Sequence, residues 1–223
     1  MTRHDDILGA IGNTPLVGLP SLSPKAGVRL WAKLEGNNPT GSTKDRIALA
    51  MVEAAEASGV LTPEKTILEP TSGNTGISLA MVARRKGYHL TVVLPDNASQ
   101  ERLGLLRLFG AELVYCGDDR AFGRLDTASA KEIAVVVLEA ANPKAHEGTG
   151  REIVADLPEV THFVAGMGTG GTLTGAGRAL HAHDPSIRVV AAASEIESTG
   201  ITLAAVTARP CRRTPPRSGA AGA

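Results

Sequence analysis

The chain has 223 residues with 23 basic and 23 acidic side chains, so its formal net charge is zero and no global basic field draws it to nucleic acid. Apolar residues make up 43% of it, which excludes disorder throughout, and the length admits one large domain or two small ones. Cys116 and Cys211 are too few for a disulfide framework and lack zinc-ligand spacing, no apolar run approaches a membrane span, and Met1 to Asp6 opens no signal peptide; the expectation is a cytoplasmic protein with neither metal nor membrane partner.

Aromatics are scarce and alanine, valine and leucine abundant, a bias that suits helices packed on parallel sheet. Gly12-Asn13-Thr14-Pro15-Leu16 is a turn leading into an extended apolar piece, and Val28 to Glu35 alternates as a strand does. Asn38-Pro39-Thr40-Gly41-Ser42-Thr43-Lys44-Asp45-Arg46 is a turn opening into a helix. Pro39 and Gly41 are turn residues, and Ser42 with Asp45 three residues on reads as a capping box. Ile47, Leu49, Ala50, Met51 and Ala54 then keep helical spacing to a stop at Ser58-Gly59. Lys44 thus stands in a first helical turn, where the dipole disfavours a cation. Two readings fit. Either the lysine works as a neutral amine or Schiff base, or it is a surface lysine that follows an N-cap.

Thr66 to Glu69 is a short strand entering a loop at Pro70 to Gly76, and Ile77 to Lys86 is a helix closed by Gly87. Leu90 to Leu94 reads as a strand, Ala98 to Phe109 as a helix and Ala111 to Tyr115 as a strand. Asp118 to Arg124 reads as a loop, Asp126 to Ala134 as a helix running without a turn into a strand at Val135 to Leu138, and Asn142 to His146 as a loop. Gly150 to Leu157 and Gly171 to His183 are helices, and His162 to Ala165 and Arg188 to Ala192 strands. Strands alternating with helices predict βα units on parallel sheet. Ser198 to Ala223 has no acidic residue, carries Arg209, Arg212, Arg213 and Arg217 among prolines, and shows no strand or helix period. Its composition is disorder-like, and a truncated or frameshifted terminus explains it better than a nucleic-acid tail.

Two glycine-rich loops each follow a predicted strand and open a helix, which predicts that both lie with Lys44 along one sheet edge where ligands bind. In Gly166-Met167-Gly168-Thr169-Gly170-Gly171-Thr172-Leu173-Thr174-Gly175 the glycines let successive N–H groups converge on an anion, with Thr169 and Thr172 as added donors; a phosphate monoester is the best-suited guest. Gly166, Gly168 and Gly171 also meet the dinucleotide spacing, with Glu195 downstream, so a nicotinamide-dependent oxidoreductase competes. Against it, that fingerprint ordinarily opens the first βαβ unit of its domain, and here several strands precede it. Thr71-Ser72-Gly73-Asn74-Thr75-Gly76 offers hydroxyls, an amide and N–H groups of a size to suit a carboxylate.

The combination resembles the cysteine synthase and cystathionine β-synthase family, pyridoxal-phosphate enzymes of fold type II. The matching segments are Gly12 to Leu16, Lys33-Leu34-Glu35 with Asn38 to Arg46, Glu69 to Gly76, and Gly166 to Gly175, in the same order. The resemblance implies an α/β fold of two αβα subdomains with mostly parallel sheets, the second incomplete: 1–35 joining the large domain, 36–141 a small substrate-loop domain, 142–194 a partial large domain, and 195–223 an atypical, disordered tail. It implies that Lys44 binds pyridoxal 5'-phosphate as a Schiff base and acts as general base. Asn74 would contact the cofactor ring, and Gly168, Thr169, Gly170, Gly171 and Thr172 would cradle its phosphate. Thr71, Ser72, Gly73 and Thr75 would hold the amino-acid carboxylate. The implied reaction is β-replacement on O-acetylserine or O-phosphoserine by sulfide or another sulfur donor, through an aminoacrylate, in a homodimer. Leu138-Glu139-Ala140-Ala141 stands where the family has a glutamine-aromatic pair, and the family's second half, with its serine at the pyridine nitrogen, has no counterpart. A catalytically impaired remnant of the family is therefore the alternative.

Overall fold

Stretches of alternating and β-branched residues form two sheets in the computed structural model, which describes residues 3–71, 73–115, 135–136, 144–167, 170–192 and 203–208. In chain order the elements are β1 (Leu16–Gly18), β2 (Arg29–Leu34), α1 (Lys44–Ala57), β3 (Thr66–Pro70), α2 (Asn74–Lys86), β4 (His89–Leu94), α3 (Gln100–Leu108) and β5 (Glu112–Tyr115). They continue with β6 (Val135–Val136), α4 (Lys144–Asp156), β7 (His162–Gly166), α5 (Gly171–His183), β8 (Arg188–Ala192) and β9 (Leu203–Ala208).

The four-stranded sheet, in the order β5-β4-β3-β6, is parallel throughout. The five-stranded sheet, β1-β2-β9-β7-β8, is mixed: β7 and β8 run parallel, while β1–β2, β2–β9 and β9–β7 are antiparallel. Parallel pairings are thus the majority among the described strands, and the α/β class is as expected. The two anion loops, however, do not share a sheet edge. Thr71 follows β3 of the four-stranded sheet and Met167 follows β7 of the five-stranded one. Local βα signals carry no information on which sheet a strand joins.

Each sheet has its own core. Around the parallel sheet, Ile47, Met51 and Val52 of α1 pack with Leu79, Met81 and Val82 of α2, with Ile67 and Val92 of the strands, and with Leu103 and Leu106 of α3. Every residue from Gly76 to Ala83 is buried, so α2 is a central helix rather than an amphipathic surface one. In the second core Ile153 of α4, Phe163 of β7 and Ala176 and Leu180 of α5 pack together, with Trp31 and Leu16 against them.

Helix α2 begins at Asn74, not Ile77, inside the stretch read as a loop, and two elements differ more widely from the sequence expectation. Helix α4 begins at Lys144, not Gly150, taking in part of the stretch read as a loop. A Cβ on Gly150 would meet the Ala176 carbonyl oxygen at 2.6 Å and the Ala179 Cβ at 2.8 Å. That glycine serves close approach of α4 to α5. Within the stretch read as a disordered tail, Leu203–Ala208 is a strand, paired on one side with β2 and on the other with β7. Hydrogen bonding to two neighbours overrides a local composition that shows no period. The predicted loop at Asp118 to Arg124, the helix at Asp126 to Ala134, Leu138, Glu139 and Glu195 lie outside the described residues. No helix among the described residues is long and apolar enough to cross a membrane.

Candidate active site around Lys44

The turn before α1 is tied down by side chains. Asn38 is buried, accepts from the Gly12 N–H at 2.8 Å, and donates to the Glu35 carbonyl at 2.8 Å and its carboxylate at 3.0 Å. Ser42 and Asp45 do not form the expected capping box; Thr43 is the N-cap of α1, without a side-chain cap bond. The Ser42 hydroxyl accepts from the Lys44 N–H at 3.1 Å. Asp45 instead gathers the Thr40 N–H at 2.7 Å, the Thr40 hydroxyl, and the Ser78 hydroxyl at 2.5 Å. Ser78 lies on α2, so this carboxylate binds the start of α1 to the helix that follows the Thr71 loop.

One turn further on, Arg46 holds two carboxylates at once. Its guanidinium donates to Glu35 at 2.8 and 3.0 Å and to Glu152 of α4 at 2.7 and 2.8 Å, with a fifth bond of 3.2 Å to the Thr14 hydroxyl. Lys33, fully buried, pairs with Glu152 at 2.9 Å, and the Asn13 N–H donates to Glu152 at 2.9 Å. Burial would raise the Glu152 carboxyl, but the hydrogen bonds from Arg46 and Lys33 outweigh it and hold its pKa down to about 2. Two cations and two anions therefore neutralise one another, and all three guanidinium nitrogens donate, which is what a buried ion cluster needs to offset desolvation.

The Lys44 side chain is half-buried, and its amine makes no hydrogen bond or ion pair with a described residue. Burial pushes its amine pKa down, and the dipole of α1 adds to the bias toward a neutral nucleophile. Next to it is His146 of α4, 1% exposed, whose Nδ1 lies 3.4 Å from the Thr172 hydroxyl at the start of α5. Burial first, and then the charge of Lys44, push the His146 pKa down to about 4, so the ring is neutral at physiological pH. Lys44 is in this way linked to both anion loops, through Asp45 and Ser78 to α2 and through His146 and Thr172 to α5.

Asn74 and Thr75 open α2, and the Thr71 hydroxyl accepts from the Gly73 N–H at 3.2 Å. Gly170, in the left-handed region at φ 79°, turns the chain into α5, whose first residues are Gly171 and Thr172. Ser72, Gly168 and Thr169 lie outside the described residues. Neither α2 nor α5 has a side-chain N-cap, so the first N–H groups of both helices are open to a ligand. Among the described residues, a Cβ on Gly73, Gly166 or Gly170 would meet nothing within 4 Å. The Thr43 hydroxyl, His146 Nε2 and the Thr149 hydroxyl are buried with no hydrogen-bond partner among the described residues. Open ground over glycines, uncapped N–H groups, orphaned polar atoms and a lysine of lowered pKa fit a phosphorylated aldehyde.

His146, Thr149 and the Arg46 clamp escaped the sequence reading. Glu35 and Arg46 stand in the segments that carry the resemblance, but nothing local shows that they meet. His146 sits in a stretch read as loop. The signal that could have found it is its three-residue spacing to Thr149, two polar residues on one helix face.

Comparison with known proteins agrees with this chemistry. Residues 7–222 match the pattern of the pyridoxal-phosphate dependent enzyme family. The chain is 43% identical over 194 residues to a cysteine synthase B of Salmonella typhimurium, covering 81% of this chain and 62% of that one. It is 43% identical over 206 residues to a cysteine synthase of a Flavobacterium species, covering 87% and 66%. Among solved structures, a hydrogen sulfide-producing enzyme from Fusobacterium nucleatum superimposes with a TM-score of 0.78 at 37% identity, covering 86% and 66%. The chain spans 62–66% of the length of these curated relatives. From its sequence pattern, its fold and the surroundings of Lys44 together, the chain belongs to the pyridoxal-phosphate dependent enzyme family.

Proposed function

We propose that the protein is a cysteine synthase, exchanging the Cβ substituent of O-acetylserine or O-phosphoserine for a sulfur nucleophile such as sulfide. The observation that carries this is Lys44, a half-buried amine of lowered pKa whose charge is felt by His146, the ring of which lies 3.4 Å from the Thr172 hydroxyl at the start of α5. When bound, pyridoxal phosphate supplies an electron sink that stabilises negative charge at the substrate Cα. Lys44 holds the cofactor through its amine and, once released, moves the proton at Cα. Gly168, Thr169, Gly170, Gly171 and Thr172 bind the phosphate, and the Thr172 hydroxyl is oriented by His146. Asn74 orients the ring, and Thr71, Ser72, Gly73 and Thr75 bind the substrate carboxylate through hydroxyls and N–H groups. The residues 36–141 form the substrate-loop domain, and 1–35 with 142–194 belong to the cofactor-phosphate domain. The protein works in the cytoplasm as a homodimer, with no nucleic-acid partner.

Adding pyridoxal phosphate to the purified chain tests this. A visible absorbance band should appear, borohydride should fix the cofactor to Lys44, and Lys44→Ala should lose both while melting within a few degrees of the parent. A band that survives Lys44→Ala, or cofactor fixed to another residue, refutes the assignment. Binding of a nicotinamide dinucleotide in place of pyridoxal phosphate would favour an oxidoreductase instead.

A further inference from the structure

Gly76 is buried in the first turn of α2, with an ordinary helical backbone and no left-handed φ. Glycine is a poor choice there, since it weakens a helix relative to alanine when no special φ requires it. Its neighbour explains it. A Cβ on Gly76 would overlap the Thr71 methyl, far inside van der Waals contact, while the other side is closed by Leu106 Cδ2 at 3.7 Å. The Thr71 side chain therefore rests on the bare Cα of Gly76. That fixes its χ1, because a β-branched side chain with its methyl in a slot has one rotamer left. In that rotamer the hydroxyl oxygen accepts from the Gly73 N–H at 3.2 Å. Its own proton is left free to donate to another acceptor, and among the described residues no atom lies within 4 Å of a Cβ on the neighbouring Gly73.

We propose that Gly76 is a positioning residue for the amino-acid substrate, acting through Thr71: the missing Cβ lets the threonine methyl seat, and so aims its hydroxyl at the substrate carboxylate. The inference rests on the reading of Thr71 to Thr75 as the carboxylate loop. It adds that a residue which never touches the substrate decides the donor direction. Alanine at this position, neutral or favourable for the helix alone, displaces the Thr71 hydroxyl.

L-serine is the probe, because hydroxide is a poor leaving group and binding is read without turnover. The holo protein, G76A, T71S, G76A/T71S and T71V are titrated with L-serine by calorimetry, with pyridoxal phosphate affinity and melting temperature measured on each. G76A and T71V should each bind L-serine about tenfold more weakly, the loss of one hydrogen bond to a charged group. T71S and G76A/T71S should bind close to the parent, because serine keeps the hydroxyl and removes the methyl that collides with the new Cβ. Cofactor affinity should be unchanged in all four variants. The inference falls if G76A binds as the parent does, or if G76A/T71S is no better than G76A. It falls equally, even should G76A not fold, if T71V retains parental affinity. A parent that takes up pyridoxal phosphate but not L-serine overturns the carboxylate-loop reading and this inference with it. A parent that takes up neither overturns the proposed function itself.

Discussion

Glu69 is buried near the carboxyl end of β3, and burial pushes its carboxyl pKa up to about 7. Below about pH 4.5 both folded and unfolded chains keep this proton, and the residue is neutral toward stability. As the pH rises the unfolded chain ionises first, so a penalty grows between the unfolded value and about 7 and approaches 3 kcal/mol in order of magnitude, about 1.4 kcal/mol per pKa unit. Glu69→Gln should therefore stabilise the protein by about 2 kcal/mol at pH 8 and hardly at all at pH 4. Chemical unfolding at the two pH values checks this, and an equal effect at both would mean that the carboxyl does not titrate abnormally. At this scale the sequence was readable where a residue's position follows from local pattern, as for Lys44 and Gly171, each of which opens a helix. It was silent where the role comes from burial against a distant segment. Nothing around His146 or Glu69 reveals that one lies beside Lys44 or that the other has lost its water.

The elements are joined at their ends by charge. Arg46 on α1 reaches Glu35 after β2 and Glu152 on α4, so one guanidinium sets the angle at which the Lys44 helix leaves its turn. Removing it leaves two buried carboxylates facing each other, and Arg46→Met should cost about 3–5 kcal/mol, the usual loss on breaking a buried pair from one side. Arg46→Met combined with Glu152→Gln should cost less than the sum of the single changes, because the second removes the charge that the first exposes. Additive losses in the double-mutant cycle would show that the two side chains do not interact. The helix spans were legible because caps, glycine stops and 3.6-residue spacing are local. The start of α4 was not: Asn142 to His146 read as a loop, and only the contact with Ala176 shows that a side chain at Gly150 would have no room.

Across the whole molecule the same clamp sets the response to acid. Glu152, lowered to about 2, contributes stability that is complete above about pH 4.5 and is lost as the pH falls through about 2. Glu35, also lowered, acts in the same direction. The unfolding free energy should fall by about 3 kcal/mol over that window through Glu152 alone, and Glu152→Gln should flatten the acid limb. An unchanged limb in the variant would exclude Glu152 as its source. The α/β class was legible as a rhythm of strands and helices, but the division into two sheets was not, because pairing between distant strands leaves no local trace. β9 is the plainest case: Arg29 pairs with Ala208 and Leu34 with Leu203, so a strand near the end of the chain fills the gap between β2 and β7. During synthesis β2 is complete long before its partner is made. At ordinary translation rates its open flank waits roughly ten to thirty-five seconds for β9 to be made. The parallel sheet, with β3, β4 and β5 close in the chain, can form early in synthesis; the mixed sheet closes only once β9 has been made, and until then the open flank of β2 is where a nascent chain is most exposed to chaperones or to misassembly with another copy.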